Sequence, residues 1–106
     1  MATFKVKRGD DLEIIAIVSL DGSIVDLTGW IVRCQARLKD ELIHEFTVEI
    51  PDPAGGQVNI SAPAAITEGW AVGTMESDIE LVDDEGKKTS TDTFTIEVIK
   101  DITRAA

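Results

Sequence analysis

The chain is short of cysteine and tyrosine, and its basic residues are few beside its acidic ones. With one cysteine, Cys34, no intramolecular disulfide can form, so the fold must stand on packing alone. There is no tyrosine, and tryptophan and phenylalanine together supply 5 % of the residues, which weakens the case for a carbohydrate-binding platform of stacked rings. The 10 Lys and Arg are not clustered and are outnumbered by 20 Asp and Glu, a net charge of −10 with a pI near 4.3. That balance excludes a protein that tracks nucleic-acid phosphates or docks on an anionic membrane. The longest apolar run, Ile14 to Val18, falls far short of the roughly 20 residues that span a bilayer, and Met1 to Lys7 contains no secretion signal. Without such a signal, the sequon Asn59-Ile60-Ser61 is not expected to carry a glycan.

What remains is one globular domain over residues 1–106, 43 % hydrophobic, in which about 65 % of the unfolded chain's surface can be buried. Its dominant signal has a period of two. Leu12, Ile14, Ala16, Val18 and Leu20 alternate with Glu13, Ile15, Ile17 and Ser19. Trp30, Val32, Cys34, Ala36 and Leu38 alternate with Ile31, Arg33, Gln35, Arg37 and Lys39. Leu42, His44, Phe46, Val48 and Ile50 repeat the pattern, as do Val58 and Ile60. The dry and wet sides, cleanest in Trp30 to Lys39, predict antiparallel sheets solvated on one face.

Near the C-terminus, Met75, Ser77, Ile79 and Leu81 alternate with Thr74, Glu76, Asp78 and Glu80, and Phe94, Ile96 and Val98 follow with the same period. If Asp83 to Gly86 is a four-residue loop, the hairpin sets Met75 opposite Phe94, Thr74 opposite Thr95, and Glu80 and Asp78 opposite Thr89 and Thr91. Pro63 to Glu68 reads as a single helical turn connecting two strands. Turn residues recur at Arg8 to Asp11, Asp21-Gly22, Asp26 to Gly29, Lys39 to Glu41 and Pro51 to Gly56. The pattern predicts an all-β, immunoglobulin-like antiparallel β-sandwich of about seven strands, without the disulfide of antibody domains.

Few residues offer chemistry. His44, the only histidine, alternates to the dry side, and Cys34 does the same between Val32 and Ala36, where a thiol behaves as a small hydrophobe. With one histidine and one cysteine a zinc site is excluded, and no loop has calcium-hand spacing, so no cofactor is expected. No nucleophile–base–orienter set is visible, and no enzyme is predicted. Arg8-Gly9-Asp10 is read as a turn, and Gly55-Gly56 lacks the lysine of a phosphate loop. The candidate contact residues, for a ligand or an interface, are Trp70, the strand-face acids Glu76, Asp78 and Glu80, and the turn acids Asp83 and Asp84.

The order of elements resembles the small immunoglobulin-like domains of bacteriophage baseplate and tail-fibre proteins, notably the N-terminal domain of baseplate upper proteins. Phe4 to Asp11 leads into Leu12 to Leu20, then come Asp21-Gly22-Ser23, Val25 to Gly29, Gly56 to Ile60, Asp78 to Asp83 with Gly86, and Phe94 to Val98 before Asp101-Ile102-Thr103. Gly73-Thr74-Met75 departs from it, since such domains often place an aromatic residue there. The resemblance implies a virion or prophage structural protein without catalysis, assembled in the bacterial cytoplasm and residing in the tail. Its partners would be other tail or baseplate proteins, with copies of itself among them. The competing expectation is a carbohydrate- or calcium-dependent host-surface binder using Trp70 and the carboxylates.

Overall fold

A computed structural model describes residues 2–103. The strands are β1 (Thr3–Lys7), β2 (Leu12–Ile17), β3 (Ser19–Leu20), β4 (Ser23–Ile24), β5 (Ile31–Leu38), β6 (Glu41–Glu45), β7 (Thr47–Asp52), β8 (Gln57–Ala62), β9 (Gly73–Val82), β10 (Lys88–Ser90) and β11 (Phe94–Ile99), with one helical turn, α1 (Ala64–Thr67), between β8 and β9. The larger sheet has the order β1-β11-β9-β5-β6, with β10 also on β9. The smaller has the order β2-β8-β7, and β3 pairs with β4. All pairs are antiparallel except β1 with β11, which run parallel.

The dry sides of the strands meet between the sheets. Ile14, Val58, Ile60 and Ala62 of the smaller sheet face Cys34, Ala36, Met75, Ile79, Ile96 and Val98 of the larger. Val58, Ile60, Ile96 and Val98 are fully enclosed. At roughly 1.5–3 kcal/mol for each large apolar side chain removed from water, this layer is the main source of stability.

The run from Leu42 to Ile50 is divided between the sheets. Phe46 stands at the crossing, buried, with its amide donating to the Cys34 carbonyl at 2.9 Å, so the chain stays tied to β5 as it passes over to β7. Leu42, expected on the dry side, is exposed, and Ile43 packs on the core instead. The reason is a bulge: Ala36 pairs with His44 but Arg37 pairs with Leu42, leaving Ile43 as an extra residue that reverses the alternation. Leu20 is also exposed, because the strand from Leu12 ends at Ile17 and the chain folds into the β3–β4 hairpin. That hairpin turns on Asp21 (φ 52°) and Gly22 (φ 81°), the left-handed pair that a tight two-residue connection demands.

The C-terminal hairpin register also differs from the expected one. Gly86 adopts φ 86° and the Asp83 amide bonds to the Lys87 carbonyl at 3.0 Å, so the loop proper is Asp84-Glu85-Gly86. This moves the pairing by one residue and sets Glu80 opposite Ser90 and Leu81 opposite Thr89. A further residue is taken up before β11, so Phe94 faces Ser77 and Met75 faces Ile96. There the Thr91 side chain stands in for the backbone, its Oγ1 accepting from the Ile79 amide at 3.0 Å.

Candidate functional site

Glu76, Asp78 and Glu80 alternate on the outer face of β9, as their period requires, and the pairing with β5 decides what they can do. Arg37 lies opposite Glu76, Gln35 opposite Asp78 and Arg33 opposite Glu80. Two guanidiniums and an amide are therefore the cross-strand neighbours of the acids. The row continues onto β6: Arg33 pairs with Glu45 at 2.9 Å, Gln35 Nε2 donates to the same carboxylate at 2.8 Å, and Arg37 donates to Gln35 Oε1 at 3.0 Å. Those bonds hold the Glu45 carboxyl below its ordinary range and raise the Arg33 guanidinium. Successive acids on one strand face stand about 7 Å apart, whereas calcium requires six or more oxygens within about 2.6 Å. Among the described residues no group of three or more His, Cys, Asp or Glu side chains could hold a metal ion.

Asp83 and Asp84 belong to the turn. Asp83 Oδ1 accepts from the amides of Glu85 at 2.9 Å and Lys87 at 2.8 Å, which fixes the loop conformation, while Asp84 is exposed beside it. Trp70 is not available to a ligand. It is 5 % exposed, its ring centroid 6.1 Å from that of Phe46 and 6.0 Å from that of His44. Its place follows from α1, whose last turn continues through the Trp70 amide to the Thr67 carbonyl at 3.0 Å and turns the indole inward.

His44 packs edge-on to Phe46 at 5.4 Å, and burial lowers its pKa against the opposing pull of Glu45. Cys34 is buried with its thiol 3.2 Å from the Ser77 hydroxyl, which itself donates to the Gln35 carbonyl at 2.7 Å. Burial pushes that thiol up to about 11, so it is protonated at neutral pH. The Arg8-Gly9-Asp10 turn is closed from outside by buried Thr67. The Thr67 hydroxyl accepts from the Gly9 amide at 3.0 Å and donates to the Asp10 carbonyl at 2.7 Å, while Arg8 donates to the Glu68 carbonyl at 3.0 Å. Asp11 then caps the helical turn, accepting from the Ala64 amide at 2.7 Å in place of the side-chain cap that Pro63 cannot supply. These residues join β1, β2 and α1.

The feature that sequence reasoning missed lies on the other side of the molecule. An open groove runs along β2, between it and the β9–β11 region, in two lobes of about 490 and 420 Å³ that share Ala16, Ile79, Thr91 and Asp92. Its floor is apolar, with Val25 and Trp30 at one end and Phe4 and Phe94 at the other. On the outer face of β2, Ile15 and Ile17 are 60 % and 55 % exposed. The signal was present in the run Ile14 to Val18, which is apolar at both parities and so calls for cover on two sides.

No family model matches the chain, and no curated protein matches it. Solved structures do. The N-terminal domain of ORF48 of phage TP901-1 superposes with a TM-score of 0.67 at 19 % identity, covering 92 % of this chain and 84 % of that one. A structure of fibronectin(III)-like modules of CbhA from Clostridium thermocellum gives 0.53 at 17 % identity, over 95 % of this chain and 43 % of that one. Murine CRIg gives 0.51 at 13 % identity, over 94 % of each. At such identities the likeness establishes the fold: an all-β sandwich of the immunoglobulin and fibronectin III kind, here without a disulfide.

Proposed function

We propose that this chain is a non-enzymatic structural protein of a bacteriophage or prophage, an immunoglobulin-like module of the tail, baseplate or tail fibre that acts in assembly or fibre attachment. The observation that carries the reading is the match to the phage TP901-1 domain, which spans most of both chains at a TM-score of 0.67. The surface supports it. Among the described residues, His44 is packed against Phe46 and Trp70, and Cys34 is buried facing Ser77. Of the acids named from sequence, Glu76, Asp78 and Glu80 lie opposite Arg37, Gln35 and Arg33 on β5, and Asp83 bonds within its own turn. What the fold does present is a rigid two-sheet platform with an apolar groove, the equipment of an interaction module.

The test is made on particles. Mass spectrometry of purified virions, induced from the phage or lysogen that carries the gene, is expected to detect the chain in stoichiometric amount. Deleting the gene is expected to give tails that lack a distal element or fibres in negative-stain micrographs. Virions free of the chain and unchanged by the deletion would refute the assignment.

A further inference from the structure

An edge strand presents unpaired backbone N–H and C=O groups, and proteins ordinarily blunt such edges with charge, proline, bulges or brevity. Four edge strands here are blunted in those ways. β1 carries Lys5 and Lys7. β6 carries Glu41 and Glu45 and the bulge at Ile43. β7 contains Glu49, Pro51 and Asp52 and a register shift, and β10 is three residues long and begins with Lys88. β2 has the least of this protection. It lies at the end of the order β2-β8-β7, pairs with β8 in unbroken register over six residues, and contains one charge, Glu13.

The surroundings of that edge are apolar on both sides. Toward the core, the groove along β2 opens over Ile79 and Phe94. Toward solvent, Ile15 and Ile17 stand uncovered on a face whose neighbours, Asn59 and Gln57, are polar. A strand laid beside β2 would send alternate side chains into the groove and over the two isoleucines, and its backbone would satisfy the free edge. We infer that β2 accepts an extended segment of a partner protein, apolar at successive positions and carrying lysine or arginine, which joins the smaller sheet as its fourth strand.

Charge selects that occupant. Asp92 is the one charged residue among those lining the groove and lies in both lobes, and the chain carries a net charge of −10. A second copy offering its own β2 would bring Glu13 and no cation, so β2-to-β2 pairing of two copies is opposed while a basic strand is drawn in. The inference does not rest on the tail assignment, since strand acceptance is a property of the edge in whatever assembly the chain serves.

The probe is a soluble peptide of alternating valine and isoleucine flanked by lysine pairs, titrated into the isotope-labelled full chain and followed by amide chemical shifts and hydrogen exchange. Shifts and protection are expected along Leu12–Ile17 and at Thr91 and Asp92. A peptide with the same side chains but alternate amides N-methylated should bind at least about tenfold more weakly, because it cannot donate to the edge. The glutamate-flanked peptide should be weaker at low salt, the difference closing as salt is raised. Ile15 and Ile17 are exposed, so the double variant I15K/I17K should keep the native melting temperature and lose the peptide. Shifts centred elsewhere, binding indifferent to N-methylation, or no binding by any peptide would overturn the inference. So would light scattering that shows the protein alone to be a dimer that I15K/I17K dissolves, since the edge would then belong to a second copy.

Discussion

Gly56 is where the β7–β8 turn meets the β3–β4 hairpin, and replacing it with alanine tests that junction quantitatively. Its φ of 69° is left-handed, which costs an L-residue about 1–2 kcal/mol. A Cβ there would lie 2.9 Å from the carbonyl oxygens of both Val18 and Val25 and 3.0 Å from the Ile24 side chain. Those oxygens cannot simply retreat. The Val18 amide donates to the Gly56 carbonyl at 2.8 Å and the Val25 amide to the Val18 carbonyl at 3.0 Å, so relief stretches the bonds that hold the junction. Forcing an extra carbon into a packed site costs a further 1–3 kcal/mol or so, bringing G56A to about 2–5 kcal/mol. Gly22 and Gly86 supply the control: their φ values are 81° and 86°, but a Cβ at either meets nothing within 4 Å. G22A and G86A should therefore lose only the conformational part, about 1–2 kcal/mol. At roughly 4–8 °C per kcal/mol for a domain near this size, G56A should melt about 8–40 °C below the parent and the controls about 4–16 °C below. Thermal and urea unfolding of the four proteins measures this, with unchanged m-values showing that the transition is comparable. If G56A melts together with G86A, the close approach at Gly56 does not constrain the fold and the reasoning fails.

Thr67 offers a polar counterpart. T67V keeps the volume but strands the Gly9 amide and the Asp10 carbonyl, and should cost about 2–4 kcal/mol in urea unfolding, against about 1 kcal/mol for T67S, which loses only a methyl group. Equal losses from the two would show that the hydroxyl is not what closes the turn. Cys34, buried and with its thiol pushed up to about 11, should resist Ellman's reagent at mildly alkaline pH in the native protein and react fully in denaturant; native labelling at the rate of a free thiol would contradict the burial. For His44 the folded pKa is depressed, so the unfolded chain binds more protons between the two values. Stability should therefore fall as pH drops below about 6.5 and level off once the folded value is passed, and H44Q should flatten that segment of the curve. A parent curve already flat there would remove burial as the cause.

The layers of the fold are readable in the period of two because burial acts on every second residue of a strand. Val58, Ile60, Cys34, Ala36, Ile96 and Val98 all face inward as alternation requires. What alternation cannot report is a residue inserted between two correct halves. Ile43 reverses the parity of β6, and the three-residue loop at Asp84 to Gly86 followed by the insertion before Phe94 moves the last hairpin by one residue and then by two. Each depends on a local backbone choice, such as the left-handed Gly86, whose energy is comparable to that of one cross-strand pair. The parallel pairing of β1 with β11 was hidden for a different reason: it joins the two ends of the described chain, and nothing in either strand's pattern specifies the direction of its neighbour.

The candidate contact residues show the same limit. The period placed Glu76, Asp78 and Glu80 outward, but their cross-strand neighbours, Arg37, Gln35 and Arg33, lie on a strand some 40 residues away and could not be read from the run itself. Trp70, beside Gly69 and outside the alternating runs, has no period to place it, and α1 turns the ring inward. The apolar edge was written in Ile14 to Val18 as a strand with no wet side. In a strand between two neighbours such a run would mean burial by the protein's own sheets. At the end of β2-β8-β7 it leaves Ile15 and Ile17 at the surface beside an unblunted edge. Since proline, lysine, bulges or brevity guard the edges of β1, β6, β7 and β10, the bare edge of β2 is more economically explained by selection for a partner than by neglect.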